Sequence, residues 1–290
     1  ASATRLHNTE VRMRTLCLAI VSVSFLVSCS ETRPDTTTGT PQSTETQVSP
    51  ATAPGPEPIK IGQTMPYSGP ASAYSTSGRT QAAYFKKINE EGGIQGRKLE
   101  LITLDDAYSP PKTVEQVRRL VEQDHVLFMY GSVGTATNSA VHKYLNGKQI
   151  PQLFVSTGAT KWGDPKEYPW TMGFNPTYQL EGQTYARHIL DSHPKAKIAV
   201  LYQNDDYGKD LLKGLRDGLG DKAASLIVKE VTYEVTDATV DSQIATLKGS
   251  NANVFVNITT PKFAAQAVRR AHDSGWKPIQ YLNQVGASIA

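Results

Sequence analysis

The sequence predicts an α/β protein with two lobes, each built on a parallel sheet. From residue 59 onward, short apolar strands alternate with amphipathic helices, an order typical of parallel sheets covered by helices on both faces. About 230 residues follow this pattern, more than one hydrophobic core comfortably organises. The proline-bounded stretch 169–176 separates two series of elements, so we place lobe 1 at 59–175 and lobe 2 at 176–290.

The first series begins with a strand at residue 59, directly after the last proline of a polar region. Its first helix is predicted over 79–91 because Ala82, Phe85 and Ile88 recur at helical spacing and Gly92 follows. The same criteria predict strands at 98–104, 126–130 and 152–155 and helices at 113–124 and 135–146.

The second series follows Pro176. Leucines at helical spacing predict a helix over 209–219, and Pro261 at a first helical position opens a helix that ends before Gly275. The remaining elements are helices at 178–191 and 241–248 and strands at 197–202, 226–231, 254–258 and 279–282.

The N-terminal segment 1–28 is predicted to contain a signal peptide. Arg12 and Arg14 precede a largely apolar run, 16–27, and Met13 is the expected start. A transmembrane helix and a short buried strand are the alternatives to a signal peptide. The run is shorter than the ~20 residues that a membrane-spanning helix needs. Leu26-Val27-Ser28-Cys29 resembles the bacterial lipobox, which implies cleavage before Cys29 and a diacylglyceryl group on its sulfur. We therefore expect an exported protein anchored to a membrane of the cell envelope.

Residues 29–58 form the predicted tether. Between 30 and 58 the chain has six prolines and eight threonines, and such a composition cannot bury enough apolar surface to fold. The other cysteine, Cys17, lies in the signal segment, so the mature chain keeps only an acylated Cys29. This excludes an internal disulfide and cysteine catalysis. The mature chain has a net charge of +1, with 27 Lys and Arg against 26 Asp and Glu, and no basic cluster that indicates nucleic-acid binding.

Candidate binding loops follow the strands, because ligands of open α/β sheets lie beyond the carboxyl ends of strands. The loops 131–135 and 156–160 combine small residues, hydroxyls and free N–H groups at predicted helix starts, which suits a carboxylate. Ordinary turn and capping chemistry is the alternative. Three aromatic residues, Tyr74, Trp162 and Tyr207, would supply walls for a cleft or simply pack.

Enzymatic and metal chemistry have weak support. The acidic pairs at 105–106 and 205–206 have no histidine beside them, and no Gly-x-Ser-x-Gly elbow, P-loop or full dinucleotide glycine pattern is present. We predict a protein that is not an enzyme and has no metal and no cofactor.

Several segments together resemble the type I periplasmic solute-binding proteins, in particular the leucine/isoleucine/valine-binding family of ABC importers. The matching segments, in chain order, are Ile59-Lys60-Ile61-Gly62, Tyr67-Ser68-Gly69-Pro70, Ile88-Asn89-Glu90-Glu91-Gly92-Gly93-Ile94 with Gly96, Leu104-Asp105-Asp106, Asp206-Tyr207-Gly208 and Ser274-Gly275. The resemblance implies two Rossmann-like lobes joined by a hinge, with a solute captured between them for ABC permease subunits.

The resemblance also implies roles for individual residues. Thr135 would receive the ligand carboxylate, Gly158 would contribute a backbone contact beside Ala159, and Thr160 would be a second hydroxyl. Tyr74 and Tyr207 would be aromatic walls from opposite lobes. Ser132 and Trp162 are further candidates.

One family feature is missing from the matching loops. Amino-acid binders place a carboxylate in the second lobe against the ligand ammonium, but neither 259–263 nor 283–286 contains an acidic residue. Because a buried ammonium without a counter-charge is costly, three ligand classes stay open: a branched-chain amino acid, a related carboxylate and an amide. Family members are longer, so we also expect this chain to be a fragment. A ligand sensor with a signalling partner and a secreted hydrolase are the alternative functions.

Overall fold

The computed structural model describes residues 56–287. The predicted signal peptide, Cys29 and the tether as far as residue 55 lie outside these residues. Within 56–287, no helix is both long enough and apolar enough to cross a membrane.

The first half is built on a five-stranded parallel sheet. Its elements are β1 (Ile59–Met65), α1 (Ser75–Glu90), β2 (Leu99–Asp105), α2 (Pro110–Glu122), β3 (Phe128–Tyr130), α3 (Thr135–Gly147), β4 (Gln152–Val155), a 3-10 turn (Thr160–Gly163) and β5 (Thr171–Gly173). The strand order in the sheet is β2-β1-β3-β4-β5. Strand β1 pairs with β2 from Ile59↔Leu99 to Met65↔Asp105. Helices α2 and α3 pack on this sheet through a core that includes Val117, Leu120, Met129, Val141 and Leu145.

The second half is built on a four-stranded parallel sheet. Its elements are α4 (Tyr178–Ser192), β6 (Ile198–Gln203), α5 (Asp206–Leu219), α6 (Ala223–Leu226), β7 (Ile227–Tyr233), α7 (Asp241–Gly249), β8 (Val254–Ile258), α8 (Pro261–Asp273) and β9 (Ile279–Leu282). The strand order in the sheet is β7-β6-β8-β9. Two parallel sheets with alternating helices confirm the predicted fold class.

Strand β6 shows how the second sheet is covered on both faces. Ile198 and Val200 belong to the core beneath α4 and α5, whereas Ala199 and Leu201 belong to the core beneath α7 and α8. All four side chains are fully buried. Alternate residues of a strand point to opposite faces, so a continuous apolar run is what a doubly covered strand requires.

Helices α4 and α5 approach each other closely through glycines. A Cβ added to Gly182 would lie 2.4 Å from the carbonyl oxygen of Leu211, and one added to Gly214 would lie 2.2 Å from that of Gln179. Real Cβ atoms do not approach backbone atoms so closely. The absence of side chains at these positions therefore allows α4, which follows the crossover between the sheets, to pack directly on α5.

Several element boundaries differ from the sequence predictions; α2, for example, begins at Pro110 rather than residue 113. The stretch 169–176, predicted to separate the two series, contains strand β5, which pairs with β4 at the edge of the first sheet. The flanking prolines disguise this strand, which has only three residues. Helix α1 begins at Ser75 rather than residue 79, and α5 begins at Asp206 rather than residue 209. The Asp205 side chain explains the second difference because it caps α5 by accepting from Tyr207 N and Gly208 N.

Candidate functional site

A cavity of about 220 Å³ lies where loops from both sheets meet. The residues that line it follow the carboxyl ends of eight of the nine strands, the edge at which α/β sheets bind ligands. The loops of the first sheet contribute Tyr74, Ser77, Tyr108, Val133, Gly134, Thr135 and Ser156. The crossover and the loops of the second sheet contribute Asn175, Tyr178, Tyr207, Thr260, Gln284, Val285 and Ala287.

Three of the sequence-predicted residues, Tyr74, Thr135 and Tyr207, meet at this cavity. The Tyr74 hydroxyl donates to the carbonyl of Val285, another lining residue, at 2.7 Å. The Tyr207 hydroxyl donates at 2.5 Å to the Asn283 side-chain oxygen, with the Asn283 amide oriented so that its nitrogen donates to backbone carbonyls. These bonds hold both tyrosines in place. Tyr74 comes from the first sheet and Tyr207 from the second, so the cavity has walls from both halves.

Thr135 begins α3 and is fully buried. Its Oγ1 lies 2.5 Å from Thr157 Oγ1, and Thr157 Oγ1 lies 3.2 Å from the Tyr178 hydroxyl. Hydroxyl hydrogens rotate to suit their partners, so this chain of hydroxyls lets Thr135 either accept from a ligand or donate to it. The first N–H groups of a helix have no intrahelical partner and carry partial positive charge, which favours an anionic or carbonyl oxygen here.

The residue before this helix must be glycine. Gly134 has φ +106° and ψ +138°, a conformation that side-chain-bearing residues rarely adopt. A Cβ there would lie 2.5 Å from Thr137 Oγ1 and 2.6 Å from the Tyr108 ring. Gly134 therefore lets the loop turn into α3 while Tyr108 packs against it.

The other predicted residues do not line this cavity. Thr160 donates through both its N–H and its hydroxyl to Asp210 Oδ2, each at 2.8 Å, and Ala159 and Thr160 border a neighbouring surface depression. The Gly158 carbonyl accepts from Tyr178 N, and Ser132 Oγ accepts from Thr64 N. Trp162 is buried, and its ring contacts His142 edge-on at 4.9 Å. A ligand role for these five residues stays a prediction.

Two cavity tyrosines were not anticipated from the sequence. Tyr108 follows the Asp105-Asp106 pair, which the sequence analysis considered only for metal or enzymatic chemistry. Tyr178 lies just after the crossover between the two sheets. The available signal at Tyr108 was a tyrosine three residues after the end of strand β2. Burial raises the pKa of the Tyr74, Tyr108 and Tyr207 hydroxyls well above the ordinary value, so all three stay neutral at physiological pH.

Among the described residues that line the cavity, none is acidic or basic. The buried Asp106 and the half-buried Asp205 lie near the lining, and both carboxylates already accept hydrogen bonds from the protein. Asp106 accepts from Tyr108 N and Thr113 Oγ1, and Asp205 caps α5 and accepts from Gln203 Nε2 at 2.6 Å. Burial raises the pKa of both carboxyls. Elsewhere in residues 56–287, no group of three or more His, Cys, Asp and Glu side chains is arranged to hold a metal ion.

Replacing Thr135 with valine is expected to weaken binding of a carboxylate ligand about tenfold, because valine keeps the shape and removes the hydroxyl. The matched control is Thr184→Val on the exposed surface of α4, where the hydroxyl donates only to its own helix at Leu180 O. Titration calorimetry of both variants measures the effect. Equal affinity in Thr135→Val and Thr184→Val would remove Thr135 from the site.

Comparisons with known proteins agree with this architecture. A family model described as "Periplasmic binding protein" matches residues 58–289. Leu/Ile/Val-binding protein homolog 7 of Brucella abortus is 23% identical over 249 residues, which cover 81% of this chain and 60% of that protein. The leucine-specific-binding protein of Salmonella typhimurium is 27% identical, over 80% of this chain and 62% of that protein. The chain thus spans about 60% of the length of the curated relatives it matches.

A solved structure shows the same fold. The fatty acid ABC transporter substrate-binding protein from Thermomonospora curvata superimposes with a TM-score of 0.71 at 22% identity, covering 80% of this chain and 59% of that one. The family match and the relatives confirm the predicted resemblance to type I periplasmic binding proteins, and these relatives are named as binding proteins rather than as enzymes. The chain belongs to the periplasmic binding protein family.

Proposed function

We propose that the chain captures a small solute between its two lobes, 59–175 and 176–290, for an ABC importer. The cavity between the sheets carries this proposal because both halves contribute its walls. Its volume of about 220 Å³ lies below the range of about 300–1,000 Å³ that is typical of pockets for drug-sized ligands, so the solute is small. The relatives' names add support, since one is named a Leu/Ile/Val-binding protein homolog and another a leucine-specific-binding protein.

We further propose that the solute carries a carboxylate or an amide and no ammonium. The names of the relatives and of the superimposed structure include both leucine and fatty acid ligands, so the fold alone does not decide the class. The lining of the cavity favours a solute that has a carboxylate or an amide and no ammonium. It offers hydroxyls and the N-terminus of α3 to an oxygen, whereas among the described lining residues no carboxylate faces an ammonium. Burying an ammonium there would cost several kcal/mol.

A matched set of three compounds tests this proposal on the whole chain. Leucine, 4-methylpentanoate and 4-methylpentanamide share one hydrocarbon skeleton and differ in their polar groups. We expect 4-methylpentanoate or 4-methylpentanamide to raise the midpoint of thermal unfolding, because a ligand that binds only the folded state stabilises it. Leucine should have a smaller effect at the same concentration. Stabilisation by leucine alone would contradict the ligand class, and stabilisation by none of the three would contradict solute capture of this kind.

We also propose that Cys29 carries the lipid anchor and that the tether holds the binding lobes near the permease subunits. The basic start, the apolar run and the lipobox-like residues before Cys29 support this proposal. In cells grown with radioactive palmitate, the wild-type chain should become labelled and Cys29→Ala should not. Cys17→Ala is the matched control and should keep the label. Label retained in Cys29→Ala would refute the anchor.

A further inference from the structure

The four tyrosines that line the cavity differ in how their hydroxyls are used. Three are engaged: Tyr74 with the Val285 carbonyl at 2.7 Å, Tyr178 with Thr157 at 3.2 Å and Tyr207 with Asn283 at 2.5 Å. Within residues 56–287, the fourth hydroxyl, that of Tyr108, has no hydrogen-bond partner. Tyr108 lines the cavity, and its hydroxyl is not among the fully enclosed unpaired polar atoms of these residues. The unused hydroxyl of Tyr108 is therefore available to whatever fills the cavity.

The backbone at Tyr108 is strained. Ala107 has φ +51° and Tyr108 has φ +59°, and two successive left-handed residues are unusual for side-chain-bearing positions, above all for a bulky ring. The loop is held in this form by several hydrogen bonds. Ala107 N donates to Asp105 Oδ1 at 3.0 Å, Tyr108 N donates to the buried Asp106 Oδ1 at 2.9 Å, and Ser109 N donates to Asp106 O at 2.9 Å. Strain that the surroundings enforce in this way clusters at functional sites.

The strained loop puts the Tyr108 ring beside the start of α3. The ring packs on Gly134, where an added Cβ would lie 2.6 Å from Cε2 and 3.2 Å from Cζ. Only 6% of Tyr108 is exposed. The ring thus lines the cavity next to Thr135, at the end where α3 presents its N–H groups.

We propose that Tyr108 contacts the ligand and determines specificity, its hydroxyl donating a hydrogen bond to the polar end of the solute. This inference rests on the proposed function. The Tyr108 hydroxyl would act together with the free N–H groups at the N-terminus of α3, so hydrogen-bond donors from two elements would face one ligand oxygen. Because burial raises the pKa of the Tyr108 hydroxyl, the group keeps its proton and remains a donor. Asp106 would be the positioning residue that holds Tyr108 in place.

Tyr108→Phe in the whole chain tests the proposal because it removes only the hydroxyl. We expect the affinity for 4-methylpentanoate, measured by titration calorimetry, to fall about tenfold, since a hydrogen bond to a carboxylate is charge-assisted. The affinity for 4-methylpentanamide should fall only about threefold, because that bond is neutral. The change in the ratio of the two affinities is the decisive readout, because a merely structural defect would weaken both equally.

Tyr144→Phe is the matched control. Its hydroxyl lies on the outer side of α3 and donates to Glu122 Oε1 at 2.8 Å, so both affinities should stay at the wild-type values. Unchanged affinities in Tyr108→Phe, or equal losses for both compounds, would overturn the role of Tyr108 and leave the proposed function standing. If neither compound binds the wild-type chain, the proposed ligand class fails and the role of Tyr108 fails with it.

Discussion

Replacing Gly214 with alanine is expected to lower the free energy of unfolding by about 3 kcal/mol, because the new methyl group would overpack the contact between α4 and α5. Its carbon would lie 2.2 Å from the Gln179 carbonyl oxygen and 2.5 Å from Gln179 Cα. These are backbone atoms in the first turn of α4, so no side chain can rotate away. The helices must separate, and the core they share with β6 and β8 must loosen.

Thermal unfolding followed by circular dichroism measures this effect. For a protein of this size, 3 kcal/mol corresponds to a fall of about 6–12 °C in the midpoint. Gly147→Ala is the matched control: Gly147 ends α3 and its added Cβ would have no atom within 4 Å. Alanine there should be neutral or stabilise slightly, because it restricts the unfolded chain more than glycine does. Equal midpoints for Gly214→Ala and Gly147→Ala would refute the close approach of α4 and α5.

Replacing Gly134 with alanine is expected to weaken binding of 4-methylpentanoate about a hundredfold. The backbone at Gly134 suits glycine alone, so alanine must either carry strain of about 1–3 kcal/mol or shift the loop. A shifted loop would displace Thr135 and the start of α3 from the cavity. An unshifted loop would press the new methyl group on the Tyr108 ring. Both outcomes remove contacts that we assign to the ligand.

Titration calorimetry of Gly134→Ala, with circular dichroism to confirm folding, tests this expectation. Gly249→Ala provides the control because its added Cβ at the end of α7 would meet open space. That variant should bind as the wild type does. Wild-type affinity in a folded Gly134→Ala variant would show that the turn into α3 does not shape the ligand site.

Much of the fold was predictable because the core pattern is local. The continuous apolar strands β6 and β8 and the leucine spacing of α5 identify doubly covered strands and an amphipathic helix without any tertiary information. Strand β5 escaped detection for the opposite reason. Its three residues are held by pairing with β4, and such a long-range contact leaves no periodic signal in the sequence.

The site was only partly predictable, and Thr160 and Tyr108 show why. Tyr74, Thr135 and Tyr207 follow strand ends, and parallel strands bring their carboxyl ends to one edge, so these three line one cavity. Thr160 also follows a strand, but its N–H and hydroxyl are bound to Asp210 of α5, fifty residues away. The left-handed backbone of Tyr108 depends on hydrogen bonds that residue types alone do not reveal.

We propose that the cleft takes a small solute with a carboxylate or an amide and no ammonium. Titration calorimetry of the whole chain with leucine and with 4-methylpentanoate tests it most directly, because the two compounds differ only in the amino group. The uncharged lining predicts that 4-methylpentanoate binds at least about tenfold more tightly than leucine, since only leucine must bury an unpaired ammonium. Tighter binding of leucine would contradict the claim.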